Sequence, residues 1–161
     1  MDKSISKSLM NPSKTSLFYL KSLPGAFFFG LKIKELNEEK SSVLVPYRWS
    51  TKNPFHSIYF AALSAAAELS TGCAAMAASG GKNMSMLVTS TDGKFTKKAK
   101  SDVLFTCPEV NKIIEAVNQA NLNPEGSTVS VETIGRMIDG VEVARFHFQW
   151  SFKQKSISPV S

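Results

Sequence analysis

Ile58 to Ser79 reads IYFAALSAAAELSTGCAAMAAS, 22 residues with nine alanines, no proline and one charge, Glu68. A run this apolar at this length forms a helix buried on nearly all sides. An ionised carboxylate in such surroundings is costly unless it gains hydrogen bonds or its pKa shifts. Groups perturbed in that way gather at functional sites. The stretch therefore marks both the centre of the fold and the first candidate for its chemistry. The plainer alternative for Glu68 is a head group that reaches solvent or pairs with Lys or Arg.

The same run is long enough to cross a bilayer. Alanine contributes little to insertion, and Glu68 at the centre would cost about 2.5–3.5 kcal/mol. Ser64, Ser70, Thr71 and Gly72 weaken that reading further, so no membrane span is expected. The start, MDKSISKSLMNPSKTS, is polar and basic and lacks the apolar core and cleavage site of a signal peptide. Cys73 and Cys107 make no disulfide framework and read as buried thiols in a reducing, cytoplasmic compartment.

With 161 residues, 43% of them apolar and 20% charged, the chain is expected to be one globular domain. Residues 1–13 read as a flexible tail, 14–154 as the domain and 155–161 as a C-terminal tail. The net charge of +6 suits anionic partners. A nucleic-acid module would interleave a basic stripe with exposed aromatics, and here most aromatics fall in strand-like or buried runs. No nucleic-acid partner is expected.

Outward from the helix, Ser57 is placed to cap its start and Gly80-Gly81 to end it. Upstream, Thr15–Leu23 reads as a short helix stopped by Pro24-Gly25. Phe27–Leu36 and Ser42–Tyr47 then read as strands. Phe27-Phe28-Phe29 is either core or the lining of a tunnel. Downstream, Met84–Phe95 is strand-like with a bulge expected at Asp92-Gly93, and Asp102–Cys107 is another strand. Pro108 opens an amphipathic helix in which Val110, Ile113, Ile114 and Val117 recur at helical spacing. Thr128–Ile138 and Val141–Lys153 are long strands joined by Asp139-Gly140, a strong hairpin signal. In the last strand Ala144, Phe146, Phe148, Trp150 and Phe152 share one face. Only the 58–79 helix is long and apolar enough to cover that face. The expected fold is α+β, one antiparallel sheet wrapped around a central helix.

This order of elements resembles the hot-dog fold, with five to six strands about the helix. Asn53-Pro54-Phe55, Tyr59 and the run AALSAAAE ending at Glu68 are similar to the thioesterase superfamily. The likeness is to its phenylacetate-pathway-type branch and to a related domain family of unknown function. Leu87–Phe95 with Lys97-Lys98-Ala99 resembles that family's next strand and turn. In the resembling enzymes an asparagine precedes His-Gly-Gly at the helix start, and an Asp or Glu follows about two turns later. Here Tyr59, Phe60 and Ala61 occupy the His-Gly-Gly positions, and His56 lies three residues earlier.

The resemblance implies a homodimer, or a dimer of dimers, that hydrolyses acyl-CoA or another acyl thioester without a cofactor. Glu68 would act as base or nucleophile and Asn53 would orient water or the carbonyl. Tyr59, Phe60, His56 and Ser64 are candidate substrate contacts. Backbone N–H groups near Tyr59 and Phe60 would polarise the carbonyl oxygen. Lys97 and Lys98 are candidates for the phosphates of coenzyme A, although a solvated turn also explains them. His56 and His147 form no metal-ligand pattern. The alternative function is a non-catalytic hot-dog module that binds an acyl thioester or a fatty-acid-like ligand.

Overall fold

The computed structural model describes residues 1–81 and 83–155. Of the expected C-terminal tail, 156–161 lie outside the described residues. Six strands form one antiparallel sheet: β1 (Lys32–Leu36), β2 (Ser41–Val45), β3 (Met84–Phe95), β4 (Val103–Cys107), β5 (Ser127–Met137) and β6 (Glu142–Gln154). Their spatial order is β1-β2-β4-β5-β6-β3, which leaves the long strand β3 at one edge. The helices are α1 (Lys3–Met10), α2 (Pro12–Ser22), α3 (Pro24–Phe29), α4 (Phe60–Ser79) and α5 (Val110–Leu122). The fold is the α+β hot-dog arrangement, with α4 as the helix the sheet wraps.

Small side chains let the sheet close on α4, where 13 of the 20 residues are buried. By length and composition α4 is apolar enough to cross a membrane, and in this fold it is the core helix. The aromatic row of β6 is buried as its alternation requires, with Phe146, Phe148, Trp150 and Phe152 each at most 5% exposed. The polar groups of α4 that enter the core find partners there. Ser70 Oγ pairs with Thr133 Oγ1 at 2.8 Å, and Trp150 Nε1 donates to Thr71 Oγ1 at 3.0 Å. Unpaired, each such group would cost about 1–3 kcal/mol.

Four local expectations are corrected. Helix α2 ends just before Pro24, as expected, but Pro24 then opens a further helix, α3, which Gly30 closes at φ +66°. Phe27–Phe29 are therefore helical, and the strand read from Phe27 begins only at Lys32. A Cβ at Gly30 would lie 2.4 Å from Cζ of Arg48, whose Nη2 donates to the Phe28 carbonyl at 2.7 Å. The N-terminal stretch read as a tail is helical over Lys3–Met10. Asp2 caps that helix by accepting from Ser4 and Ile5, Leu9 is buried, and the Asp2 N–H donates to the Ala77 carbonyl at 2.8 Å. That contact satisfies one of the carbonyls left open where α4 ends.

The cap of α4 is Tyr59, not Ser57, whose hydroxyl is turned to Asn53. The bulge in β3 falls between Val88 and Ser90, while Asp92 and Gly93 stay in register with His147 and Phe146. Glycine serves packing at position 93, because a Cβ there would lie 2.5 Å from the Phe146 ring.

Candidate functional site

The loop before α4 is built around one side chain. Asn53 Oδ1 accepts from the Phe55 N–H at 3.0 Å, and from the N–H and hydroxyl of Ser57 at 3.2 Å each. Its Nδ2 donates to the Ile58 carbonyl at 3.4 Å. The Ile58 N–H then donates to the Ala99 carbonyl at 2.8 Å, which ties this loop to the turn after β3. Between the two lies a cleft of about 590 Å³, walled by Phe55, Tyr59, Phe60, Leu63 and Phe95 and edged by Lys97 and Lys98. Lys98 Nζ sits 5.8 Å from the centre of the Phe55 ring.

At the helix start the Tyr59 N–H is already spent on the Thr51 carbonyl at 2.7 Å. The N–H groups of Phe60 and Ala61 donate to no acceptor among the described residues. These two are open donors at the positive end of a 20-residue helix.

Glu68 lies on the same face of α4 as Phe60 and Ser64, which precede it at intervals of four residues. It is half-buried, and its carboxylate makes no hydrogen bond or salt bridge among the described residues. Burial pushes its pKa above the usual carboxylate value of 4.5. Gly72 makes its seat: a Cβ there would lie 3.0 Å from Glu68 Oε1 and 3.6 Å from the Trp150 ring. Thr71 Oγ1 donates to the Glu68 carbonyl at 2.9 Å while accepting from Trp150, so sheet and helix together hold this turn. The thiol of Cys73 is raised by burial first and then by the nearby Glu68.

The cleft thus brings together Asn53, Tyr59, Phe60, Lys97 and Lys98. Glu68, Ser64 and His56 are not in its wall. Ser64 donates its hydroxyl back to the Phe60 carbonyl at 2.9 Å. His56 is exposed, at φ +56°, and its carbonyl accepts from the Tyr47 hydroxyl. Leu63 and Phe95 are walls that sequence reasoning did not name as site residues, and Phe55 entered it only within the Asn53-Pro54-Phe55 motif. Their aromatic contacts, such as Phe60 on Phe95 at 6.3 Å, cross elements and have no local signature. No group of three or more His, Cys, Asp or Glu side chains among the described residues is placed to hold a metal.

Residues 16–152 match the family described as "Domain of unknown function (DUF4442)". A comparison with curated proteins found no match. Among solved structures, a Pseudomonas aeruginosa protein of unknown function, described as a probable thioesterase, is 17% identical with a TM-score of 0.73. That likeness covers 92% of this chain and 99% of that one. A thioesterase from Haemophilus influenzae is 14% identical, with a TM-score of 0.66 over 88% of this chain and 92% of its own. A point mutant of a Staphylococcus aureus thioesterase is also 14% identical, with a TM-score of 0.64 over 81% of this chain and 98% of its own. At these identities the likeness is one of fold.

Proposed function

The chain belongs to the DUF4442 family, and we propose that it is a cytoplasmic thioester hydrolase acting on acyl-CoA or another acyl thioester, with Glu68 as its carboxylate. The observation that carries this reading is a half-buried, unpartnered carboxylate on the helix face that begins at two open N–H donors. The thioesterases among the structures of similar fold support it.

Glu68 takes a proton from water as the water oxygen bonds to the thioester carbon. The carbonyl oxygen becomes an oxyanion held by the Phe60 and Ala61 N–H groups. The C–S bond then breaks, and the Glu68 carboxyl returns its proton to the thiolate. The acid and the free thiol leave.

Eight residues separate Phe60 from Glu68, about 12 Å along the helix. Within one chain that is too far for both to serve one carbonyl, so the reading requires a homodimer. The helix start of one subunit then meets the carboxylate of the other. Strand β3, at the sheet edge and exposed over much of its length, is the surface we assign to that contact. Asn53 is a positioning residue that shapes the loop. Lys97 and Lys98 at the rim suit the phosphates of coenzyme A. The test is thiol release from short, medium and long acyl-CoAs, with wild type beside Glu68→Gln. Turnover confined to the wild type supports the hydrolase; equal turnover in both sinks it.

A second reading, a module that binds an acyl thioester without hydrolysing it, is favoured by the bulk at the helix start. Tyr59 and Phe60 are 43% and 57% exposed there and stack edge to face at 4.9 Å. Acyl-CoA bound by the wild type without thiol release would select this reading.

A further inference from the structure

Two properties of the chain peak in the same place, and the thioester chemistry uses neither. Residues 1–34 hold six lysines, Lys3, Lys7, Lys14, Lys21, Lys32 and Lys34, against one carboxylate, Asp2. The rest of the chain holds 13 cations and 12 carboxylates, so nearly all of the net charge of +6 sits in the N-terminal segment. Asp2 is spent on the Ser4 and Ile5 N–H groups. None of the six lysines pairs with a carboxylate among the described residues. The same segment carries six of the fifteen large apolar side chains left exposed among the described residues: Met10, Leu17, Leu20, Leu23, Phe27 and Phe28. Of the others, Phe55, Tyr59, Phe60 and Phe95 belong to the cleft and Leu87 to the edge strand β3.

Helix α2 combines the two properties on one surface. Thr15 and Tyr19 turn inward, and Leu17 stands on the opposite side of the helix. Lys14, Leu17 and Lys21 follow one another at intervals of three and four residues, an outward stripe with Leu20 beside it. Leu17 and Leu20 are each 53% exposed. A helix face that met only water would carry polar residues at its centre. Leucines flanked by lysines suit a helix lying in a lipid interface, with apolar chains in the acyl layer and ammonium groups among the headgroups. The 11 residues of α2 span roughly 17 Å, too short to cross a bilayer.

The charge decides the partner. A second copy of this face would set lysine against lysine. A nucleic-acid duplex offers phosphates but nothing to cover the leucines, whereas an anionic leaflet offers both. We propose that the outward face of α2, with the lysine excess of the N-terminal segment, docks this protein on the surface of a membrane rich in anionic lipid. Docking there is independent of whether Glu68 is catalytic.

The test is co-sedimentation of the full chain with phosphatidylcholine vesicles, with and without about 30% phosphatidylserine. Binding is expected only with phosphatidylserine, and weaker by about tenfold or more in roughly 0.5 M salt. A lysine near an anionic surface is worth about fivefold in affinity, so Lys14→Gln combined with Lys21→Gln should weaken binding by about tenfold or more. Leu17→Ser combined with Leu20→Ser should weaken it by a similar factor. Leu122→Ser, on α5 and 88% exposed, should leave it unchanged. All of these side chains are exposed, so thermal melts of the variants should match the wild type. Cys73 and Cys107 are buried, so Leu17→Cys offers one accessible thiol for an environment-sensitive dye. Its emission should shift to the blue on anionic vesicles, and that of the same dye on Leu122→Cys should not. No binding, or equal binding to both kinds of vesicle, overturns the proposal. So does binding that survives the double lysine variant, or a dye on Leu17→Cys that stays in water. Preferential binding to a DNA duplex, lost in the same lysine variant, overturns it as well.

Discussion

A methyl group placed on Gly72 would lie 3.0 Å from Oε1 of Glu68, one helical turn away. The carboxylate rests over the one position in its neighbourhood that has no side chain, with the Trp150 ring closing the other side at 3.6 Å. A glycine inside a helix ordinarily weakens it by roughly 0.5–1 kcal/mol relative to alanine. Its presence in the core helix is explained by what it makes room for.

Gly72→Ala should therefore separate stability from function. Alanine favours the helix but crowds Oε1, and a glutamate side chain gives way more easily than the Trp150 ring. The expected outcome is an unchanged or higher melting temperature with kcat/KM for acyl-CoA lower by about tenfold, the effect of a misplaced group. A thermal melt run beside a thiol-release assay checks both. Full activity would mean that Gly72 does not position the carboxylate.

Replacing Glu68 by Gln should lower kcat by about 10²–10⁴-fold, the span expected for loss of a general base. In the wild type, kcat/KM should rise with pH through an apparent pKa above 4.5, because burial disfavours the ionised form. That limb should be absent from whatever activity the variant retains. Rate profiles from pH 4 to 9 decide it.

The same shift has a consequence for folding, with its sign set by linkage. The folded pKa of Glu68 exceeds the unfolded one. The acid form is thus accommodated in the folded state, and stability falls as pH rises through the folded pKa. Glu68→Gln carries no such charge. It should be more stable than the wild type at pH 8, and the difference should shrink on acidification to about pH 4. Urea unfolding at the two pH values reads the difference directly.

For Asn53 the two roles predict different variants. Oδ1 accepts three hydrogen bonds within the loop, so Asn53→Ala should destabilise the protein by about 1–3 kcal/mol and cost activity with it. Asn53→Asp keeps an oxygen at Oδ1 and loses only the long Nδ2 contact to the Ile58 carbonyl. It should keep the fold and most of the turnover. Loss of kcat in Asn53→Asp with an unchanged melt would instead make the amide a donor to substrate.

The centre of this fold was legible because its signals are local. Nine alanines in a row of 22 residues admit a helix that a sheet can approach closely. The β6 alternation names the face that does so, and Gly140, at φ +83°, makes the hairpin that Asp139-Gly140 announces. The N-terminal third was harder. Three consecutive phenylalanines favour a strand by propensity, and what makes them helical is Pro24 ahead, Gly30 behind and Arg48 arriving from a distant loop. The site divides along the same line. A lone charge in an apolar helix stands out in the sequence. That Asn53 spends its polar atoms inside its own loop, or that Gly72 seats the carboxylate, follows from contacts between turns and elements.

Trp150 gives this molecule an optical instrument of its own. Its indole N–H is anchored to Thr71 in the core, and its ring lies within 4 Å of the point where a Gly72 side chain would begin, as does Glu68 Oε1. The other indole, Trp49, is 92% exposed and removable as Trp49→Phe without touching the core. In that background the emission of a single fluorophore reports the ionisation of the neighbouring carboxyl. A luminescence titration then reads the proton on Glu68 in the resting protein, with no substrate present.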